Sequence, residues 1–77
     1  MKKTFVGVVV EFSKEGNKKP LIIKWKNGEC YEITKIISVK MRPSYKAGGI
    51  GERYEIIVNK QITYLFYEEG KWFVEEK

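Results

Sequence analysis

The sequence contains no histidine and no aspartate, so all ten of its acidic residues are glutamates. Histidine is the most common general base and transition-metal ligand in proteins, and it usually activates serine and cysteine nucleophiles. Glutamates alone catalyse glycoside hydrolysis, but such enzymes need a sugar-sized cleft that 77 residues are too few to form. We therefore expect a protein that is not an enzyme and carries no metal or cofactor.

Cysteine and long apolar runs are also scarce. Cys30 is the only cysteine, which excludes an intramolecular disulfide and favours a reducing compartment. The longest apolar stretch, over residues 5–10, is far shorter than the roughly 18 residues of a membrane span. Glu11 ends this stretch and no small-residue cleavage site follows, as a signal peptide would require. These features predict a cytoplasmic protein without a membrane segment.

The composition is typical of a folded chain of one domain, covering residues 1–77. Apolar residues make up 43% and aromatic residues 14% of the sequence, well above the content of a disordered chain. A domain of this size builds one compact core and has no second domain with which to form a cleft. Any binding site must then be a surface, a loop or the mouth of a small barrel.

The apolar pattern predicts strands throughout. Segments that alternate apolar and polar residues and are rich in β-branched and aromatic side chains lie at 4–12, 21–25, 30–41, 52–58, 61–67 and 71–75. Turn residues separate them, most clearly Asn27-Gly28, Asn59-Lys60 and Glu69-Gly70. No segment has a helical period. We expect an all-β fold with about six antiparallel strands in a meander that forms a small barrel or a strongly bent sheet.

Several positions are expected to shape this fold. Pro20 should open the second strand, and the long third strand should bend or bulge at Thr34–Ile36, where its alternation inverts. Core positions are expected for both tryptophans and for all four phenylalanines: Phe5, Phe12, Phe66 and Phe73.

The segment 42–53 is the strongest candidate for a binding loop. Residues 42–50 form the one long connection, and Arg42 and Arg53, the only two arginines, flank Lys46, Gly48 and Gly49. Glycine-rich backbone can form an anion-binding nest, and arginine suits phosphate or carboxylate. The spacing matches neither a Walker loop nor a dinucleotide fingerprint, and the glycines are also explained by a wide turn. Tyr45 lies in the same loop, and the sequence is equally consistent with a core position and with a surface contact for its side chain.

Basic residues supply the second candidate surface. Fifteen lysines and arginines against ten glutamates give a net charge of +5. Lys18 and Lys19 cluster before the second strand, and Lys24 and Lys26 flank Trp25. Cations interleaved with aromatic residues on a small barrel are typical of single-stranded nucleic-acid binders. Lysine at strand edges also improves solubility and blocks aggregation, so the pattern alone does not select between these roles.

Three stretches of the chain form a recognisable pattern: PLIIKW with NGECYEI, GGIGERYEI, and TYLFYEEGKWFVE. On these stretches the chain resembles, over residues 6–75, a family of small uncharacterised proteins, mainly from Gram-positive bacteria. The resemblance implies a compact β fold and carries no implication for activity, ligand or cofactor.

Two functions follow from these observations as hypotheses. The first is a non-enzymatic module that binds nucleic acid or another polyanion through the lysines and the segment 42–53. The alternative is an adaptor domain that binds another protein through the same loop and exposed aromatic residues. The candidate partners are therefore nucleic acid or a protein, without a membrane or metal, and the sequence does not predict the oligomeric state.

Overall fold

The computed structural model describes residues 2–43 and 50–76, which form a closed antiparallel barrel of six strands. The strands are β1 (Lys2–Phe12), β2 (Lys18–Lys24), β3 (Cys30–Pro43), β4 (Ile50–Val58), β5 (Gln61–Glu68) and β6 (Lys71–Glu76). They pair in chain order, and β1 closes the barrel by pairing with both β2 and β6. The prediction of a small all-β barrel is confirmed. The described residues include no helix long and apolar enough to cross a membrane.

Two of the hairpins have two-residue turns with positive φ angles. Asn59 and Lys60 have φ of 52° and 63° between the paired residues Val58 and Gln61. Glu69 and Gly70 have φ of 52° and 79°. Turns with two positive φ angles match the right-handed twist of the strands they join, so both predicted turns are confirmed.

Two further hairpins, β1–β2 and β2–β3, have wider turns that place the positive φ on glycine. In the β2–β3 turn, the Trp25 N–H donates to the Glu29 carbonyl at 2.7 Å and the Gly28 N–H donates to the Trp25 carbonyl at 2.9 Å. Gly28 has φ of 90°, and Gly16 has the same role in the β1–β2 turn with φ of 91°. The hairpin predicted at Asn27-Gly28 is confirmed, and its left-handed residue is the glycine.

The long strands bend at bulges. The β3–β4 register shifts after Ile33 and again after Ile36, so the first shift falls in the predicted region and the second lies at its end. Pro20 does not open β2 but is its third residue, beside a register shift where Val9 pairs with Ile22 and Val10 pairs with Pro20. A bulge tolerates proline because the regular ladder of hydrogen bonds is already interrupted there.

Inward-facing residues from every strand fill the barrel. The buried cluster consists of Ile23, Tyr54, Ile56, Leu65 and Trp72. Partly buried residues surround it, namely Val6, Val8, Val10, Ile33, Ile36, Val58, Tyr67 and Val74. The alternation read from the sequence in β1 and β4 therefore identifies the correct inner faces.

The phenylalanines do not form part of this inner cluster. Phe66 and Phe73 are buried, but each follows an inward-facing residue, so both lie on the outer face of the barrel. Phe5 is 57% exposed on that same face, and Phe12, the last residue of β1, is 67% exposed. The prediction that Phe5 and Phe12 are core residues is wrong, because the first points outward and the second extends past the core. Trp72 is buried as expected, whereas Trp25 is only partly buried.

Gly51 permits a close approach between β4 and β5. A Cβ atom at this position would lie 2.7 Å from Glu68 Cγ and 3.1 Å from the Tyr67 carbonyl oxygen. The second of these atoms belongs to the backbone and cannot rotate away. The requirement for glycine at position 51 is therefore steric, and this residue lies within β4.

We expect Gly51→Ala to lower the free energy of unfolding by about 1–3 kcal/mol, the usual cost of overpacking. Gly7→Ala is the matched control, because its Cβ would meet Lys24 Cβ at 3.4 Å, an ordinary contact distance. The control should change stability by less than about 1 kcal/mol. Urea unfolding followed by tryptophan fluorescence measures both, and equal stabilities of the two variants would contradict the close-approach explanation.

Candidate functional site

A row of five side chains crosses the outer face of the barrel from β1 to β3. The strand register places Phe5 opposite Phe73 and Phe73 opposite Phe66. It then places Phe66 opposite Arg53 and Arg53 opposite Lys40. Neighbouring strands lie about 4.8 Å apart, so the row spans about 19 Å. We call these five residues the basic–aromatic row.

The three phenyl rings of the row are in contact, one pair stacked and the other edge-on. The Phe66 and Phe73 ring centroids are 5.1 Å apart with an interplanar angle of 10°, and Phe5 meets Phe73 edge-on at 5.7 Å. Phe66 and Phe73 are only 4% and 1% exposed, in contrast to Phe5. The two inner rings therefore anchor the row, and the Phe5 ring remains accessible at its end.

Cationic groups lie over these rings. The Arg42 guanidinium is 4.8 Å from the Phe66 centroid, the Lys3 ammonium is 4.5 Å from Phe73, and the Lys71 ammonium is 5.8 Å from Phe5. Each distance is within the roughly 6 Å range of a cation–π contact. The stacked rings thus hold positive charge at the surface of the sheet without neutralising it.

Carboxylates neutralise only part of this charge. The Lys3 ammonium lies 3.5 Å from Glu68, whose side chain is pressed against Gly51 and is mostly buried. Within residues 2–43 and 50–76, no ion pair joins Arg42, Arg53 or Lys71 to a carboxylate. These three cations therefore leave positive charge on the face around the row, although Glu55 also lies on this face and accepts hydrogen bonds from Ser38 and Tyr64.

Arg42 and Arg53 are the predicted site residues that the structure brings together. Both point outward from adjacent strands, and Arg53 also lies 5.0 Å from the Tyr64 ring. They do not belong to a loop, however, since β3 continues to Pro43 and β4 begins at Ile50. The predicted connection of residues 42–50 is therefore too long at both ends. Tyr45, Lys46, Gly48 and Gly49 lie outside the described residues.

The four predicted lysines do not share one surface. Lys19 is exposed on β2, whereas Lys26 lies in the β2–β3 turn beside Trp25. Lys24 packs its carbon chain beside Gly7, two residues from Phe5, and so borders the basic–aromatic row. The sequence does not predict whether these lysines share a face. In the structure they are spread over the barrel, because alternate residues of β2 face opposite sides and the turn points elsewhere.

Lys18 has a structural environment at one end of the barrel. Its ammonium lies 2.6 Å from Glu52 and 4.5 Å above the Tyr67 ring. The Tyr54 hydroxyl donates to the same Glu52 oxygen at 3.0 Å. Burial, and then the hydrogen bond to Glu52, raise the pKa of Tyr54 far above its ordinary value. This network links β2 to β4. Lys18 therefore stabilises the barrel through its contact with Glu52 and is not a free surface cation.

Of the five residues in the row, sequence reasoning singled out only Arg53 for binding. It assigned the phenylalanines to the core, and it did not single out Lys40, or Lys3 and Lys71 beside the row. Alternation within strands was the available signal, because Lys71 shares a face with Phe73 and Lys40 shares one with Arg42. The register between strands, which aligns the five residues of the row, is not contained in any single segment.

The part of the chain that the structure describes contains no group of three or more His, Cys, Asp or Glu residues arranged to hold a metal ion. Cys30 is exposed. The donor groups on the outer face are instead ammonium and guanidinium groups, which suit an anionic ligand.

No protein-family model matches this chain, and neither does any curated protein or solved structure. The resemblance to a Gram-positive family therefore stays a prediction. Function has to be inferred from the geometry of the barrel itself.

We expect Lys18→Gln to lower the free energy of unfolding by about 1 kcal/mol, because it leaves the half-buried Glu52 carboxylate without its cationic partner. Lys19→Gln removes the same charge from the next, exposed residue and should change stability by less than about 0.5 kcal/mol. Thermal and urea unfolding of both variants check this. A smaller cost for Lys18→Gln than for Lys19→Gln would contradict the structural role of Lys18.

Proposed function

We propose that this protein binds single-stranded nucleic acid on the outer face that carries the basic–aromatic row. The observation that supports this most directly is the alignment of Phe5, Phe73, Phe66, Arg53 and Lys40 across five strands. Aromatic rings for bases and cations for phosphates are the two components that single-strand binders combine. No catalytic chemistry is part of the proposal.

The cations of this face supply the phosphate contacts. Arg42 and Arg53 lie over rings, which orients their guanidinium groups while leaving donor N–H groups for a ligand. Lys40 extends the row at one end, and Lys71 borders it at the other. A phosphate backbone that follows the row would meet a cation at both ends.

Base stacking is assigned to the rings that solvent can reach. Phe5 is 57% exposed and Tyr64 is 41% exposed. Phe66 and Phe73 are too buried to stack with a base and instead fix the position of Phe5. Removing a stacked aromatic side chain costs about 1–3 kcal/mol per base in single-strand binders, so Phe5 is the ring expected to contribute most.

The dimensions of the row favour a short single strand over a duplex. A row of about 19 Å is wide enough for a few nucleotides, near the lower end of the roughly 4–16 nucleotides bound by small barrels. Bases of a duplex stack on one another and would not reach Phe5. A polyanion without bases, such as heparin, would contact the cations but has no base to stack on the Phe5 ring.

The adaptor function remains an alternative because of a separate apolar strip on β3. Ile37, Val39 and Met41 occupy alternate positions there and are 41%, 47% and 66% exposed. Such a strip suits contact with another protein. It lies on a different part of the barrel from the basic–aromatic row, so variants of the row separate the two functions.

Fluorescence anisotropy with labelled single-stranded DNA and RNA at about 50 and 200 mM salt tests the nucleic-acid proposal. We expect micromolar binding at the lower salt and about fiftyfold weaker binding at the higher salt if Arg42, Arg53, Lys40 and Lys71 each neutralise one phosphate, because each contributes about −0.7 to the log–log salt slope. The double variant Arg42→Gln/Arg53→Gln should weaken binding and reduce the slope by about 1.4. Phe5→Leu should weaken binding several-fold with an unchanged slope, since it removes stacking and no charge.

Lys60→Asn is the matched charge control, because it removes one cation from the β4–β5 turn and asparagine tolerates the positive φ found there. It should leave affinity within about twofold, since the turn makes no contact with the row. Absence of binding at the lower salt would overturn the proposal and direct the search to a protein partner. An equal loss for Lys60→Asn and Arg53→Gln would show that net charge alone, and not the row, attracts the oligonucleotide.

A further inference from the structure

The end of the barrel opposite Lys18 contains a cavity that the basic–aromatic row does not use. Its volume is about 510 Å³, within the usual range of small-ligand sites. Val58 and Val74 contribute to its apolar floor, and Trp25 and Tyr31 form aromatic walls. Glu76 shares the inward face of β6 with Val74 and supplies a carboxylate, whereas the side chain of the neighbouring Glu75 lies on the outer face. We call it the Trp25 cavity. All of these residues belong to the described part of the chain.

The aromatic walls are held in place by the β2–β3 turn. The Trp25 N–H donates to the Glu29 carbonyl at 2.7 Å, which fixes the backbone that carries the indole. The Tyr31 hydroxyl donates to the Glu29 carboxylate at 3.1 Å. Asn27 anchors the same residue, because its side-chain oxygen accepts from the Glu29 N–H at 3.0 Å. The two walls are therefore organised before any ligand arrives.

The rim of the cavity carries an ionised carboxylate. The Thr4 hydroxyl donates to Glu76, and with nearby Lys26 and Lys2 it holds the pKa of that carboxyl below its usual range. Glu76 is thus ionised at neutral pH and needs a cationic partner. An organic cation that displaced Lys26 would supply this partner, whereas an anionic ligand such as a phosphate would not, which distinguishes this cavity from the outer face.

One of the chain's own cations already occupies the edge of the cavity. The Lys26 ammonium lies 5.6 Å from the Trp25 ring centroid and 3.5 Å from Glu76. An ammonium group between an indole face and a carboxylate is the arrangement by which proteins bind organic cations. The Lys26 side chain is 56% exposed, so a ligand can displace it without opening the barrel.

We propose that the Trp25 cavity binds a small organic cation, an amine or quaternary ammonium group with an apolar body. The cationic group would take the position of the Lys26 ammonium beside Trp25 and Glu76. The apolar body would rest on Val58 and Val74 between the aromatic walls. This site is independent of the proposed nucleic-acid function, because it shares no residue with the basic–aromatic row.

Three probes of similar shape and different charge test the proposal on the full chain: benzyltrimethylammonium, benzyl alcohol and benzoate. Nitrogen–proton NMR spectra report on the Trp25 indole N–H and, as an internal reference, on the Trp72 indole in the core. We expect the cation to shift the Trp25 signal saturably with a Kd of about 1–10 mM, as for a fragment-sized ligand. Benzyl alcohol should bind at least about fivefold more weakly, and benzoate should cause no saturable shift.

Variants then test the roles of the individual residues. Lys26→Gln should tighten binding of benzyltrimethylammonium by about twofold to fivefold, because it removes the internal competitor. Glu76→Gln should weaken it, because it removes the carboxylate that faces the cation. Lys14→Gln, which matches Lys26→Gln in charge and lies in the β1–β2 turn at the other end, should have no effect. Trp25→Leu should abolish the binding, with the dispersion of the spectrum showing that the barrel remains folded.

Equal affinity for the cation and the alcohol would overturn the proposal, since the cavity would then be apolar without charge selectivity. The same conclusion would follow if no signal shifted saturably, or if Lys26→Gln weakened the binding. Oligonucleotide binding by the Lys26→Gln and Trp25→Leu variants should be unchanged, so failure of this proposal is distinguishable from failure of the nucleic-acid function.

Discussion

The pairing of β1 with both β2 and β6 is the constraint on which the rest of the structure depends. It closes the sheet and thereby gives every strand one inner and one outer face. Inner residues such as Tyr54, Leu65 and Trp72 must then fill a small interior. The bulges in β2 and β3 allow seven- and fourteen-residue strands to curve around it. Without closure, neither the core nor the two ends of the barrel would exist.

Closure also explains the aromatic residues outside the core. A barrel of six strands cannot hold more large rings inside, so Phe66 and Phe73 pack against each other on the outer face. Long cationic side chains shield these rings from water through their carbon chains and lie over the ring faces. The apolar faces of these rings, which would otherwise be exposed to water, instead contact the cationic side chains. This arrangement stabilises the sheet and at the same time forms the surface that we propose for nucleic acid.

The two ends of the barrel have different chemical character. At one end, the Glu52 carboxylate pairs with the Lys18 ammonium and accepts a hydrogen bond from the Tyr54 hydroxyl. At the other end, the wider β2–β3 turn places Trp25 at the rim and leaves a cavity with a carboxylate. A chain with a net charge of +5 thus carries Arg42 and Arg53 over rings on its outer face and an ion pair of Lys26 and Glu76 at one opening. Whole-chain charge alone therefore does not describe either surface.

The fold class, the six strands, three of the turns and the inward positions of β1 and β4 can be predicted from local alternation and from turn residues such as Asn59-Lys60, because these signals act over a few neighbouring positions. The same local patterns single out Arg42 and Arg53. Local patterns do not predict that these arginines lie on adjacent strands beside stacked phenyl rings, or that Lys18 pairs with Glu52 within the barrel. Those contacts depend on register and closure, which join residues far apart in the chain, and a one-residue shift of register would move each side chain to the opposite face.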